Sequence, residues 1–186
     1  MWGVLYAAWV ASEVAVLIFT RARTRTVGHQ NHDRGSLLLL WAVITASISL
    51  GTWYGHLHTP DLFRNASEAR LVSVFLLAVG LAIRWLAILK LGRSFTANVV
   101  IHKEQRVEKS GVFRFVRHPS YTGLLIIFTG IALNTRSWIG LAIVLVPILA
   151  ALLYRIHVEE NALSIAFGEE YRDYCRSTKR LIPGVF

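Results

Sequence analysis

Long, nearly uncharged runs of apolar residues divide this chain into segments of membrane-spanning length. Crossing about 30 Å of hydrocarbon takes about 20 helical residues, and four runs approach that length with at most one charged residue each. A fifth run is shorter and reaches about 24 Å at a rise of ~1.5 Å per residue. The pattern predicts five spans, at Trp2–Thr20, Ser36–Gly55, Leu71–Leu89, Ser120–Thr135 and Ser137–Tyr154.

The boundaries of the last two helices are marked by turn and capping residues. The tight turn at 134–137 predicts that spans four and five form an antiparallel helical hairpin. Pro119 suits the first turn of a helix, where its missing N–H has no partner, so helix four should begin near His118–Ser120. Helix five should continue past Tyr154 and stop at Gly168, because glycine commonly follows a helix end.

A short polar helix is predicted after Gly168. Residues Glu169–Arg176 form an amphipathic pattern, with Tyr171 and Tyr174 three positions apart. Aromatic rings are common anchors at a membrane–water interface. We therefore expect this helix to lie on the membrane surface, with both tyrosines as anchors.

Basic residues are distributed very unequally between the segments that separate the spans. Segments 21–35, 90–119 and 155–186 hold 16 of the 20 Lys and Arg residues, whereas the opposite side holds three. By the positive-inside rule the N-terminus lies outside, and the C-terminus and the long polar segments are cytoplasmic. The net charge of +9 then indicates topology and attraction to anionic lipids rather than nucleic-acid binding. Plasma membrane and endoplasmic reticulum fit this pattern equally.

Size and composition predict one all-α integral membrane domain over residues 1–186, since 54% of the chain is hydrophobic. Residues 1–91 would form a three-helix membrane anchor. Residues 92–186 would carry the chemistry, because the 92–119 connector is long for a protein with otherwise short loops, and long ordered loops are often functional.

Charged and polar residues meet where the predicted hairpin opens to the cytoplasm. Arg117, His118 and Tyr121 stand at its entrance and Glu159 and Glu160 at its exit. These groups offer cations to a carboxylate and an anion to an ammonium, as the methionine part of S-adenosylmethionine would require. Alternatively, the basic pair binds lipid phosphates and the glutamates form a solvated helix face. The presence of both motifs at one hairpin favours a site.

The motifs themselves resemble a known family. The segments are Leu91-Gly92-x-x-Phe95, then GVFRFVRHPSYTG at 111–123, then Glu159-Glu160-x-x-Leu163-x-x-x-Phe167-Gly168-x-x-Tyr171-x-x-Tyr174, and finally Pro183. Over about residues 75–186 they are similar to the isoprenylcysteine carboxyl methyltransferases. Membrane methyltransferases that act on phospholipid amines share this core.

The resemblance implies a helical membrane enzyme that binds S-adenosylmethionine in a cytoplasmic pocket. The 92–119 connector and the C-terminal segment would form that pocket. The implied cofactor-binding residues are His118, Pro119, Tyr121, Gly123, Glu159, Glu160 and Leu163. Our own candidates for the catalytic residues are Arg117, His118 and Glu159. Phe113 is a departure, because the family often has tyrosine there, so the acceptor class stays more open.

The expected reaction is carboxyl O-methylation of an isoprenylcysteine-like, lipophilic or lipidated acceptor that enters sideways from the bilayer. N-methylation of a phospholipid amine is the enzymatic alternative, and it would need a base such as His118 or a glutamate. A non-enzymatic lipid-binding or transport protein is the third possibility. A transporter would carry polar residues along several spans, whereas here they concentrate at one end. No G-x-G pattern occurs, so a soluble Rossmann-type cofactor cradle is not expected.

Two charges fall inside the predicted spans. Glu13 and Arg84 lie at similar depth, about 10 Å from the cytoplasmic ends. Intramembrane charges are usually paired or functional, so we expect either a structural ion pair or contact of Arg84 with the acceptor. No metal site is predicted: His29, His32 and Asp33 form too small a donor set, in a basic loop.

Overall fold

The computed structural model describes residues 2–26, 35–63, 65–95 and 106–186, in which helices are joined by turns and irregular segments and one isolated β-bridge pairs Val116 with Lys179. Short 3₁₀ turns lie at Gly92–Ser94 and Gly111–Arg114. The α-helices are α1 (Trp2–Thr26), α2 (Ser36–Leu57), α3 (Ala66–Leu91), α4 (Pro119–Leu133), α5 (Trp138–Phe167) and α6 (Glu169–Ser177). The predicted all-α class is confirmed. His29, His32, Asp33 and residues 96–105 of the connector lie outside the described residues.

Three of these helices, α2, α3 and α5, are long and apolar enough to cross a membrane. Shorter apolar stretches lie at Gly3–Phe19 and Pro119–Leu133. Large hydrophobic side chains are exposed on the outer surface of the long helices, as lipid contact requires, among them Leu38, Trp53, Phe75 and Leu89. The chain is therefore a helical membrane protein, while the number of spans and their orientation remain predictions.

Close helix packing depends on glycines that face a neighbouring backbone. A Cβ added to Gly123 of α4 would lie 2.6 Å from the carbonyl oxygen of Gly80 of α3. A Cβ on Gly51 of α2 would lie 2.4 Å from a methyl group of Val144 of α5. Thus α4 packs chiefly on α3, and α5 chiefly on α2. The turn at residues 134–137 joins α4 to α5, and these two helices contact each other less extensively.

The predicted helix boundaries agree with the structure at three points. α4 begins at Pro119, directly after His118. α5 passes Tyr154 and ends at Phe167, and Gly168 follows with φ of 54°. Because a left-handed φ strains residues that have a Cβ, glycine is the natural residue at that position.

Glu13 and Arg84 form the predicted ion pair. Arg84 donates from Nε to Glu13 Oε1 at 2.5 Å and from Nη2 to Oε2 at 2.6 Å. Its Nη1 donates to Ser120 Oγ at 2.7 Å. Glu13, Arg84 and Ser120 are all buried, so this contact fixes α1 and α3 against the start of α4.

The interpretation of Tyr171 and Tyr174 as surface anchors is wrong. α6 forms as predicted, but its two tyrosines are only 3% and 5% exposed. The ring of Tyr174 is held by a hydrogen bond from its hydroxyl to the Phe113 carbonyl oxygen, at 2.6 Å. The polar face of α6 points outward instead, so α6 closes the protein interior rather than lying with its aromatic rings in lipid.

Candidate functional site

A cavity opens where the start of α4, the C-terminal half of α5 and α6 come together. Its free space is about 1270 Å³, a volume that includes the solvent-filled mouth. α1 and α2 contribute mainly apolar side chains to its wall, including Leu17, Leu40 and Ile44. The segment 117–121 and α5 contribute polar and charged ones, so the cavity combines two chemical environments.

The C-terminal tail fixes the backbone at the start of α4. The Arg117 N–H donates to the Lys179 carbonyl oxygen at 2.7 Å, and the His118 N–H donates to that of Arg180 at 3.1 Å. Thr122 Oγ1 donates to the Leu181 carbonyl oxygen at 2.8 Å. Because these bonds join segments about 60 positions apart in sequence, the tail sets the direction in which the side chains before α4 point.

Glu160 lies at the centre of a cluster of three basic side chains. Its Oε1 accepts from Arg117 Nε at 3.0 Å and lies 3.3 Å from His118 Nε2. Its Oε2 accepts from Arg180 Nε at 3.0 Å. The hydrogen bond to Glu160 also raises the pKa of Arg180. The Glu160 carboxylate is therefore occupied by protein groups, and it orients Arg117 and His118.

Glu159 faces the cavity and belongs to a second network. Tyr121 donates from its hydroxyl to Glu159 Oε2 at 2.8 Å and accepts from Arg155 Nε at 3.0 Å. Arg155 in turn donates from Nη1 to Ser36 Oγ at 2.6 Å. His118 Nδ1 lies 3.9 Å from Glu159 Oε2. The rings of His118 and Tyr121 are stacked, with their centroids 5.6 Å apart.

Arg117 retains hydrogen-bonding capacity beside the cavity. Its Nη1 donates to the carbonyl oxygens of Cys175 at 3.0 Å and of Thr178. Together with the Glu160 contact, these bonds leave Nη2 with no hydrogen bond to the described residues. A guanidinium held in this way is a pre-oriented donor for a carboxylate.

Most residues predicted for the site meet at this cavity. Its wall includes Arg117, His118, Pro119, Tyr121, Glu159 and Leu163. Glu160 lies behind Arg117 and His118 and is not part of the wall. Gly123 lies away from the wall, at the α3–α4 crossing described above. Glu160 therefore positions Arg117 and His118, and Gly123 allows α4 to pack closely on α3.

Several wall residues were not predicted from the sequence. Arg155 was counted only as a cytoplasmic charge, although it precedes Glu159 by four positions and so shares its helix face. Tyr171 and Tyr174 line the cavity, and burial raises the pKa of Tyr174 to about 12 and that of Tyr171 further. α1, α2 and α3 also contribute, so the wall extends beyond the connector and the C-terminal segment.

Three comparisons with known proteins agree with one another. The model of the isoprenylcysteine carboxyl methyltransferase family matches residues 71–165. A rice protein (Oryza sativa subsp. indica) named probable protein-S-isoprenylcysteine O-methyltransferase is 34% identical over 69% of this chain and 70% of its own length. Protein-S-isoprenylcysteine O-methyltransferase A of Arabidopsis thaliana is 36% identical over 60% of this chain and 58% of its own.

The fold also matches a solved structure. The eukaryotic intramembrane Ras methyltransferase of that family superposes with a TM-score of 0.59 and 24% sequence identity. The match covers 78% of this chain and 52% of that one. At this level of identity the likeness concerns the fold.

Proposed function

This chain belongs to the isoprenylcysteine carboxyl methyltransferase family, a family of membrane methyltransferases, and we propose that it methylates the carboxylate of an isoprenylcysteine-like acceptor. S-adenosylmethionine is the proposed methyl donor. The observation that carries the proposal is one cavity whose wall joins the polar cluster of Arg117, His118 and Glu159 to apolar side chains of α1 and α2.

The polar part of the cavity fits the donor cofactor. Arg117 and His118 offer donors to a carboxylate, and Glu159 offers an acceptor to an ammonium group. Leu163 and Phe167 provide an apolar wall for an adenine ring. Charge-assisted hydrogen bonds of this kind are roughly twice as strong as neutral ones. When bound, S-adenosylmethionine supplies an electrophilic methyl group.

The apolar part of the cavity fits a lipophilic acceptor. Leu17, Leu37 and Ile44 present hydrocarbon surface that an isoprenyl chain would cover, at about 25 cal/mol per Å² of apolar surface buried. Both curated relatives described above are named as protein-S-isoprenylcysteine O-methyltransferases. The acceptor would enter sideways from the bilayer and the cofactor from the cytoplasm.

The residues of this chain would align and desolvate the reactants. A carboxylate acceptor attacks with an oxygen lone pair and requires no proton to be removed. Holding two reactants in line can supply about 7–11 kcal/mol of the barrier. Arg117, fixed by Glu160 and by two carbonyl oxygens, would hold an acceptor or cofactor carboxylate through Nη2. His118, packed on Tyr121, would exclude water beside it.

Calorimetric binding of S-adenosylmethionine and S-adenosylhomocysteine to the detergent-purified protein tests the cofactor. We expect wild type to bind both, and His118→Ala and Glu159→Gln to weaken binding at least about tenfold, as loss of a charged contact implies. Glu160→Gln should weaken binding and also lower thermal stability, because it releases three basic side chains. Glu170→Gln, an exposed glutamate on α6 paired with Lys109, is the matched control. Absence of binding to folded wild type with lipid present would contradict the proposal.

The acceptor needs a separate measurement. Transfer of a labelled methyl group to a farnesylated N-acetylcysteine in mixed micelles is the expected outcome. Transfer to phosphatidylethanolamine instead would identify the chain as an amine methyltransferase. In that case Glu159 is the candidate base, since it faces the cavity. Activity restricted to water-soluble acceptors would refute both assignments.

A further inference from the structure

Tyr171 carries a buried hydroxyl on α6, beside the thiol of Cys175 one turn further along the helix. Its side chain lines the cavity from α6 and is 3% exposed. Among the described residues this hydroxyl has no hydrogen-bond partner. Leaving a buried polar group unpaired destabilises the folded state, and such groups in native proteins normally have a partner. An unpaired hydroxyl on a cavity wall therefore indicates a bond completed by a ligand.

Tyr174, three positions further along α6, shows the opposite arrangement. It is equally buried and lines the same cavity, but its hydroxyl donates to the Phe113 carbonyl oxygen at 2.6 Å. The two rings lie with their centroids 6.1 Å apart. One helix thus carries one tyrosine whose hydroxyl bonds to the protein and another whose hydroxyl has no hydrogen bond to the described residues. The two can therefore be compared directly.

The surroundings of Tyr171 fix its role as a donor. Burial, reinforced by the negative charges of Glu160 and Glu159, raises the pKa of Tyr171. The phenol therefore stays protonated at physiological pH, and what it lacks is an acceptor atom. The same neighbourhood contains Arg117, so the hydroxyl belongs to the polar part of the cavity rather than to the apolar part formed by α1 and α2.

Resting on the function proposed above, we infer that the Tyr171 hydroxyl donates a hydrogen bond to an acceptor atom of bound S-adenosylmethionine. The carboxylate, the ribose oxygens and the adenine nitrogens all offer such an atom. A lipophilic acceptor substrate would instead occupy the part of the cavity lined by Leu17, Leu40 and Ile44. Tyr171 is thus a cofactor-binding residue on α6, whereas Tyr174, three positions further along, makes a structural contact.

The test compares Tyr171→Phe with Tyr174→Phe, using S-adenosylhomocysteine as the calorimetric probe and thermal unfolding without ligand as a second readout. Tyr171→Phe should raise the Kd about three- to tenfold, as loss of one hydrogen bond implies. Its unliganded melting temperature should fall much less than that of Tyr174→Phe, because the neighbouring Cys175 thiol is a weak partner and no other described residue bonds to the Tyr171 hydroxyl. Tyr174→Phe should lower the unliganded melting temperature, since the Phe113 carbonyl loses its donor.

Each alternative outcome is distinguishable. An unchanged Kd for Tyr171→Phe, with wild type binding normally, overturns this inference and leaves the proposed function intact. An unchanged Kd with a raised KM for the farnesylated acceptor also overturns it, because the contact then belongs to the acceptor. A fall in the unliganded melting temperature like that of Tyr174→Phe shows a protein partner and refutes the reasoning. Failure of wild type to bind refutes the proposed function itself.

Discussion

Removing one charge of the buried Glu13–Arg84 pair should destabilise the protein far more than removing both. In Glu13→Gln, Arg84 keeps its charge and loses two carboxylate contacts, of 2.5 and 2.6 Å. The amide that replaces the carboxylate can accept through one atom only, and its NH₂ group would face a guanidinium N–H. Arg84→Gln leaves Glu13 unpaired in the same way.

The size of the expected destabilisation follows from the burial of both side chains. The side chains are 7% and 4% exposed, so solvent cannot replace the missing partner. Breaking a buried pair by removing one partner costs about 3–5 kcal/mol, whereas replacing both partners is often close to neutral. For a chain of this size, 1 kcal/mol corresponds to about 2–4 °C in melting temperature. Each single variant should therefore melt about 6–20 °C below wild type.

The assay is thermal unfolding in detergent, followed by the fluorescence of the six tryptophans. The cycle comprises wild type, Glu13→Gln, Arg84→Gln and the double variant. The double variant should recover most of the stability that each single variant loses, and a charge-swapped double variant should recover part of it. Glu68→Gln makes the same charge change at an exposed position in the first turn of α3, where Glu68 accepts a hydrogen bond from Asn65, and its effect should stay within about 1 kcal/mol.

Two results would refute this reasoning. If the double variant loses as much as the two single variants combined, the charges are not coupled. If neither single variant melts below the Glu68→Gln control, at least one partner is solvated in the detergent-solubilised protein. In either case Arg84 would be available to contact the acceptor, which was the alternative that the sequence left open.

Two further predictions concern packing and reactivity. Gly123→Ala should destabilise the protein by about 1–3 kcal/mol in thermal unfolding, because the added Cβ would lie 2.6 Å from the Gly80 carbonyl oxygen. Gly3→Ala is the control, because a Cβ at Gly3 would have no atom within 4 Å. Equal effects of the two substitutions would contradict the α3–α4 packing. Burial raises the pKa of the Cys175 thiol, so less thiolate forms in the folded protein. Mass spectrometry should therefore show slower alkylation by iodoacetamide at pH 8 in folded than in denatured protein. Equal alkylation rates would contradict this prediction.

The sequence predicted the features that local chemistry determines. Pro119 marks the start of α4 because proline lacks the N–H that a first turn does not use. Gly168 follows α5 because it adopts a φ of 54° without strain. Glu13 and Arg84 were predicted to be in contact because counting residues from the helix ends places both at a similar depth in the membrane. In each case the information lies within a few residues or along one helix axis.

Contacts set by tertiary packing were not predictable in this way. The amphipathic pattern of α6 showed that Tyr171 and Tyr174 share a face, but not whether that face meets lipid or protein. The C-terminal tail decides this, because it bonds to the backbone of Arg117 and His118 and draws α6 over the cavity. The glycine of the RHPSYTG segment was assigned to the cofactor by family resemblance, whereas in the fold it meets Gly80.

The adjacent glutamates show why neighbours in a motif need not share a task. Successive residues of an α-helix are rotated by about 100°, so two consecutive carboxylates leave the helix in different directions. Glu159 keeps 31% of its side chain exposed and faces the cavity, while Glu160 keeps 11% and bonds to Arg117, His118 and Arg180. We infer that Glu160 acts on a bound ligand only through those basic groups. Loss of Glu160 should then disorder Arg117, and loss of Glu159 should remove a direct contact.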